Sequence, residues 1–150
     1  MAEKSGNTQG ALDALRRAVT LAPDWGPGLL ELALFYARQN QFEPAIETAE
    51  KVARIEPKNL RVLAGVVDIA HRANHLEMAV RHLHRGLELM PGDATLRRAL
   101  ARDLTGLGQY DEALSLWGAL IDEDPTDTQA LTGRVQTHIA QGNPTRALSD

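Results

Sequence analysis

Residues 57–93 read PKNLRVLAGVVDIAHRANHLEMAVRHLHRGLELMPGD, a stretch that runs from one proline past the next. Pro57 and Pro91 are 34 residues apart, and the same step carries the column on to Pro23 and Pro125. Three further columns keep this step: Ala11, Ala45, Ala79, Ala113 and Ala147; Gly6, Asn40, Asn74, Gly108 and Gly142; and Asn59, Asp93 and Asp127. Four columns in one register over the whole chain mark an internal repeat, which organises everything else.

Each column has a physical meaning. Gly and Asn tolerate a left-handed backbone, so their column is a helix stop followed by a tight turn. The prolines end a second helix, because proline cannot donate to the helical ladder. Asn59, Asp93 and Asp127 follow two residues after proline and suit the N-cap of the next helix. At the first such place stands Trp25, so Asp24 is expected to cap instead. Pro27, Pro44 and Pro144 fall in first turns, where a missing amide hydrogen costs little. The alanines lie where two helices cross closely, and a larger side chain there should cost about 1–3 kcal/mol by overpacking.

Apolar residues recur at helical spacing, as in Leu29, Leu32, Ala33 and Tyr36, or Leu96, Leu100 and Leu104, and strand-like alternation is missing. The spacing predicts helices near 8–21, 27–39, 43–55, 61–73, 77–89, 95–107, 111–123, 129–141 and 144–149. Each unit is a helix, a short turn, a second helix and a short connector.

Composition bounds the functions open to such a chain. Its 150 residues are 43% hydrophobic and 24% charged, with 16 Lys and Arg against 20 Asp and Glu, a formal charge of −4. These are values of an ordinary globular chain. No apolar run approaches a membrane span, and the polar start shows no signal segment. A mildly acidic chain is a poor general binder of nucleic acid. With no cysteine, disulfides, thiolate metal sites and a cysteine nucleophile are excluded. These features fit the cytoplasm, although a fragment cut from a longer protein would have lost any signal, which leaves the periplasm open. Arginine outnumbers lysine 13 to 3, a hint of a bacterial source.

Catalytic and metal-binding patterns are thin. Serine occurs only as Ser5, Ser115 and Ser149, and no nucleophile elbow is present. Gly106-Leu107-Gly108 follows no strand and lacks the Lys-Ser/Thr of a phosphate loop. His71, His75, His82 and His84 cluster in sequence, but His75 sits at a turn and His82 and His84, two apart, point to different helix faces. Solvated or packed histidines are the better reading; no metal, cofactor or catalytic residue is expected. The run Asp122-Glu123-Asp124 reads as a solvated edge, and Trp25 and Trp117 read as packing residues.

A 34-residue helix–turn–helix unit with these alanine and proline columns resembles the tetratricopeptide repeat, over the whole chain. The family's other places are filled in part, by Leu29, Leu63 and Leu131, by Leu32, Val66 and Leu100, and by Leu15, Leu83 and Trp117. Arg97 departs from the pattern, and so do Arg134 and His138 in the last unit, which is therefore expected to be loosely packed or frayed. The register divides the chain into partial repeat 1–25, repeats 26–59, 60–93 and 94–127, and partial repeat 128–150. Ala2–Gly6 reads as the tail of a first helix entering its turn, so the chain is expected to be a segment cut from a longer array with a start methionine added.

The resemblance implies an all-α solenoid, a right-handed superhelix whose concave face is built from first helices and binds peptides or protein segments without catalysis. Transferred residue by residue, the groove carries Pro27, Leu30, Leu34, Ala37 and Arg38; then Arg61, Ala64, Asp68, His71 and Arg72; then Thr95, Arg98, Arg102, Thr105 and Gly106; then Gln129, Thr132, Gln136, Ile139 and Ala140. Arg38, Arg61, Arg72, Arg98 and Arg102 oppose a single acid, Asp68. Arginine forks fit carboxylates, so the expected partner is an acidic peptide or protein segment, with Leu30 and Leu34 receiving an apolar anchor. Solvated arginines without function are the alternative. The Lys/Asn clamp by which some members hold chaperone tails is not matched: its places carry Ala64, Asp68, Arg102, Gln129 and Gly133. Two other roles stay open, homo-oligomerisation through unpartnered repeat ends and a non-catalytic part of a larger enzyme.

Overall fold

A computed structural model describes residues 2–142, with side chains from residue 7 onward. Eight helices follow one another: α1 (Ala2–Leu21), α2 (Gly26–Arg38), α3 (Phe42–Ile55), α4 (Leu60–Arg72), α5 (Leu76–Leu89), α6 (Ala94–Gly106), α7 (Tyr110–Glu123) and α8 (Thr128–Ala140). No strand occurs among the described residues. From α2 onward the bounds lie within a residue of those the spacing predicts. The helix expected near 144–149, with Pro144 and Ala147, lies outside the described residues.

The turns close as their column requires. Asn40 and Asn74 have φ of 60° and 55°, and Gly108 and Gly142 have 78° and 83°. After these residues the chain turns back, and the amides of Gln41, His75 and Gln109 donate to the carbonyls of Tyr36, Ala70 and Leu104 at 2.9, 2.8 and 2.9 Å. These 6→1 bonds satisfy carbonyls that a helix end would otherwise leave open. Three caps also stand where expected. Asn59 Oδ1 accepts from the amides of Arg61 and Val62, Asp93 Oδ1 from Leu96 and Asp127 Oδ1 from Ala130.

The first helix overturns its prediction. It runs unbroken from Ala2 to Leu21, through Gly6. A turn at Gly6 gains nothing unless a helix folds back against α1, and among the described residues α1 packs only on α2. Propagating a helix by one more residue adds a hydrogen bond per residue fixed, so the straight form wins. Ala11 is exposed accordingly, whereas Ala45, Ala79 and Ala113 of the same column are fully buried. Asp24 does not cap α2 either: Trp25 is the N-cap residue and makes no side-chain cap bond. Its ring instead lies on the backbone at Gly28, where a β-carbon would collide with it, and the Glu56 carboxylate occupies the place a β-carbon on Gly26 would take.

The chain resolves into two compact units, Met1–His75 and Leu76–Asp150. In the first, α1 packs on α2, α2 on α3, α3 on α4, and the two first helices α2 and α4 also touch. Leu29, Ala33, Val52, Val66 and Ile69 fill its interior. Arg16 ties α1 to α2, its Nε donating to the Tyr36 hydroxyl at 3.1 Å with the guanidinium 5.9 Å from the ring centre.

In the second unit α5 packs on α6, α6 on α7, α7 on α8, and α6 also meets α8. Arg97, which departs from the apolar pattern, clamps a connector. Its Nε and Nη2 donate to the Pro91 carbonyl at 3.2 and 2.9 Å, and Nη1 meets Glu123 at 2.7 Å. The fraying expected at the last unit is not found in α8. Ala130, Thr137 and His138 are buried, and the Trp117 ring lies so close to Gly133 that no β-carbon fits between them. The large indole thus packs directly on the α8 backbone.

Candidate peptide-binding faces

In the first unit the first helices α2 and α4 carry the residues expected in the groove. Leu30 is buried, packed on α4 at Gly65, and Ala37 is buried as well. Leu34 stays partly exposed. Of this pair, Leu34 is the one that offers apolar surface to a ligand. Arg38 is exposed in the last turn of α2, where a cation suits the helix dipole. Arg61 is exposed in the first turn of α4. Arg72 is exposed but meets Asp68 on the same helix, Nε to Oδ2 at 3.1 Å. That i,i+4 pair places the one groove acid against one groove arginine.

The second unit separates its two arginines by role. Arg98 is three-quarters buried and its Nη1 lies 3.5 Å from Asp127 Oδ2, the carboxylate whose other oxygen caps α8. Arg98 is thus engaged in joining α6 to α8. Arg102, one turn further along α6, is exposed and makes no hydrogen bond or ion pair with any described residue. It borders a cavity of about 380 Å³ whose other walls are Thr128, Gln129, Thr132, Gly133 and Gln136 of α8. Gln129, Thr132 and Gln136 recur at helical spacing, which puts them on one face. Among the described residues the cavity therefore has one fixed positive charge, several neutral donors and acceptors, and no acid.

Behind this face lies a polar knot that the sequence did not disclose. Trp117 Nε1 donates to Thr137 Oγ1 at 3.0 Å, and Thr137 Oγ1 lies 2.8 Å from Thr105 Oγ1. The two hydroxyl protons are shared among that contact and the carbonyls of Ala101 and Gly133, at 2.9 and 2.8 Å. Three helices, α6, α7 and α8, are thereby held in one register. The readable signal was the place of Thr137 in the 34-residue column of Phe35 and Ile69, both buried apolar residues.

Histidine chemistry does not gather at these faces. His71 and His75 are exposed, His82 is buried, and His84 Nε2 meets Glu112 at 3.1 Å. Among the described residues no group of three or more His, Asp or Glu could hold a metal ion, and no helix is long and apolar enough to cross a membrane.

Two family models, both described as tetratricopeptide repeat, match residues 2–69 and 98–150. The chain belongs to the tetratricopeptide repeat family. Tetratricopeptide proteins are generally non-catalytic interaction modules, and the fold is that of a protein-interaction scaffold. Among curated relatives, cellulose synthase operon protein C of Pseudomonas fluorescens is 31% identical over 106 residues, 71% of this chain and 8% of that protein. Tetratricopeptide repeat protein 8 of Caenorhabditis elegans is 26% identical over 79% of this chain and 23% of its own length. The tetratricopeptide chain thus spans less than a quarter of either relative. Among solved structures, MamA superposes with a TM-score of 0.74 at 18% identity, covering 98% of this chain and 86% of that one. YrrB, described as a tetratricopeptide protein with an unusual peptide-binding site, superposes at 0.75 with 22% identity, covering 98% and 76%. These likenesses establish the tetratricopeptide solenoid fold.

Proposed function

We propose that this tetratricopeptide chain binds an acidic segment of a partner protein along the exposed faces of its first helices, and that Arg102 makes the central charged contact. The observation that carries the reading is the cavity beside Arg102: a single cation with no acid partner among the described residues, walled mainly by neutral amide and hydroxyl side chains. A guanidinium can meet a carboxylate through two parallel hydrogen bonds. Gln129 and Gln136 each offer a donor and an acceptor, which suits the amide groups of an extended peptide. Arg38 and Arg61 are exposed cations on the faces of the first unit, and Leu34 offers apolar surface there. Arg98 and Arg72 contribute less, because each already faces a carboxylate.

An array of immobilised peptides tests the reading. Peptides that combine Asp or Glu with an apolar neighbour should retain the chain, their Asn/Gln counterparts should not, and Arg102→Glu should remove the preference while leaving far-UV circular dichroism unchanged. Retention that ignores peptide charge would overturn it.

A further inference from the structure

Among the described residues six large apolar side chains are exposed, and five of them lie at helix ends next to connectors: Leu21, Trp25 and Leu60 in the first unit, Leu89 and Met90 in the second. Short connectors force consecutive helices to run antiparallel. The C-terminal ends of α1 and α3 therefore share one end of the first unit with the N-terminal ends of α2 and α4. The Glu56 carboxylate, lying against Gly26, shows the two connectors side by side. Leu21, Trp25 and Leu60, at 81%, 49% and 40% exposure, thus belong to one edge.

That edge gives up local stability to display its indole. In the 34-residue register Trp25 stands where Asn59, Asp93 and Asp127 cap their helices, and it forgoes the cap bond. Conflicts between local preference and fold concentrate at functional positions, and tryptophan is enriched among residues that dominate interfaces.

The charges at the two connector ends are of opposite sense. In the first unit Arg54, Lys58 and Arg61 are exposed around the apolar residues, with Asp24 as the exposed acid. In the second, Leu89 and Met90 share their end with exposed Asp122 and Asp124, while Arg97 is paired with Glu123 and Arg98 with Asp127. An apolar edge rimmed by cations and an apolar edge rimmed by carboxylates are complementary surfaces.

We propose that the connector end of the first unit in one copy of this chain docks on the connector end of the second unit in another copy. Apolar contact between Trp25, Leu21 and Leu89 or Met90 supplies the centre, and Lys58 facing Asp122 stands for the charged rim.

Sedimentation equilibrium of the intact 150-residue chain, over a wide concentration range at low and high salt, tests the proposal. The chain should associate reversibly, and added salt should weaken association, because exposed charge pairs are screened. Lys58→Glu and Asp122→Lys should each weaken association several-fold, and the two together in one chain should restore it, since every interface then carries the pair reversed. Leu21→Ser, which leaves the Trp25 side chain on Gly28 in place, should weaken it without loss of helix content. A chain that stays monomeric throughout would overturn the proposal. So would association that is indifferent to Leu21→Ser and is not recovered by the charge swap.

Discussion

Trp117 Nε1 donates to Thr137 Oγ1 at 3.0 Å in the interior of the second unit, with both side chains almost fully buried. The bond joins α7 to α8, and Thr105 of α6 completes it from the other side. Replacing Thr137 by Val keeps the shape and removes the acceptor. A buried indole N–H left unsatisfied costs about 1–3 kcal/mol, which should lower the melting temperature by roughly 2–4 °C per kcal/mol in a chain of this size. Thr137→Ser, which keeps the hydroxyl, should cost less. Paired thermal melts of the two variants check this; equal losses would mean that the methyl group, not the hydrogen bond, matters.

Gly133→Ala should be destabilising although alanine is the better helix former. The added β-carbon would point into the Trp117 ring, and overpacking of a tight core costs about 1–3 kcal/mol against the roughly 1 kcal/mol gained in helix propensity. Urea denaturation distinguishes the signs. The double variant Gly133→Ala with Trp117→Leu should recover part of the loss relative to Trp117→Leu alone.

These two relationships mark where sequence reasoning stops. The columns at Asn40, Asn74, Gly108 and Gly142, at Ala45, Ala79 and Ala113, and at Asn59, Asp93 and Asp127 were legible because each encodes a local requirement: a positive φ, a close helix crossing, a cap. The continuation of α1 through Gly6 was not, because a turn there depends on what packs against it, not on the glycine. Fraying was expected from Arg134 and His138 read one at a time, whereas the packing of α8 follows from Trp117 on a neighbouring helix. The same holds for the faces. Five arginines look alike in sequence, yet Arg98 is committed to Asp127 and Arg72 to Asp68. Likewise Leu30 is spent on packing against Gly65 while Leu34 keeps exposed surface.

The caps offer a control inside one chain. Asn59→Ala and Asp93→Ala each remove a side-chain acceptor from a helix start and should each cost about 1 kcal/mol. Asp24→Ala, one residue before the N-cap of α2 and without a capping bond, should change stability by less than about 0.5 kcal/mol. Chemical denaturation of the three variants tests the ranking; a loss at Asp24 equal to that at Asn59 would show that Asp24 caps in solution.

Asp124 gives a pH prediction. The Thr126 hydroxyl and amide both donate to its Oδ1, at 2.7 and 3.1 Å, and hold its carboxyl below the ordinary value of 3.8. A carboxylate with a depressed pKa contributes stability above its unfolded value, and the contribution fades as pH falls through the folded value. The window here therefore opens just below pH 3.8 and extends downward. Thr126→Val removes the hydroxyl and keeps the amide, so the Asp124 titration should move up toward its ordinary position. Carboxyl-carbon NMR titration of the two proteins reads the shift directly; an unchanged midpoint would assign the effect to the backbone amide.

The two arginines of α6 should separate stability from recognition. Arg98, largely buried, reaches Asp127, which also caps α8. Arg98→Gln should cost about 1 kcal/mol, the scale of an ion pair near the surface, because the distance of 3.5 Å is long for a strong charge-assisted bond. Arg102 touches no other described charge and faces the cavity toward Gln129 and Gln136. Arg102→Gln should leave the unfolding curve in place, since an exposed side chain without partners contributes little to the folded state. In binding the order should invert. Loss of a bidentate contact to a carboxylate should weaken an acidic peptide by about tenfold or more, given the 1.5–3 kcal/mol of a charged hydrogen bond, while Arg98→Gln should weaken it less than Arg102→Gln does. Denaturation midpoints and peptide titrations on the same two variants give a two-by-two comparison. A common loss in both measurements for Arg102→Gln would make it a structural residue and move the carboxylate site elsewhere on the first-helix faces.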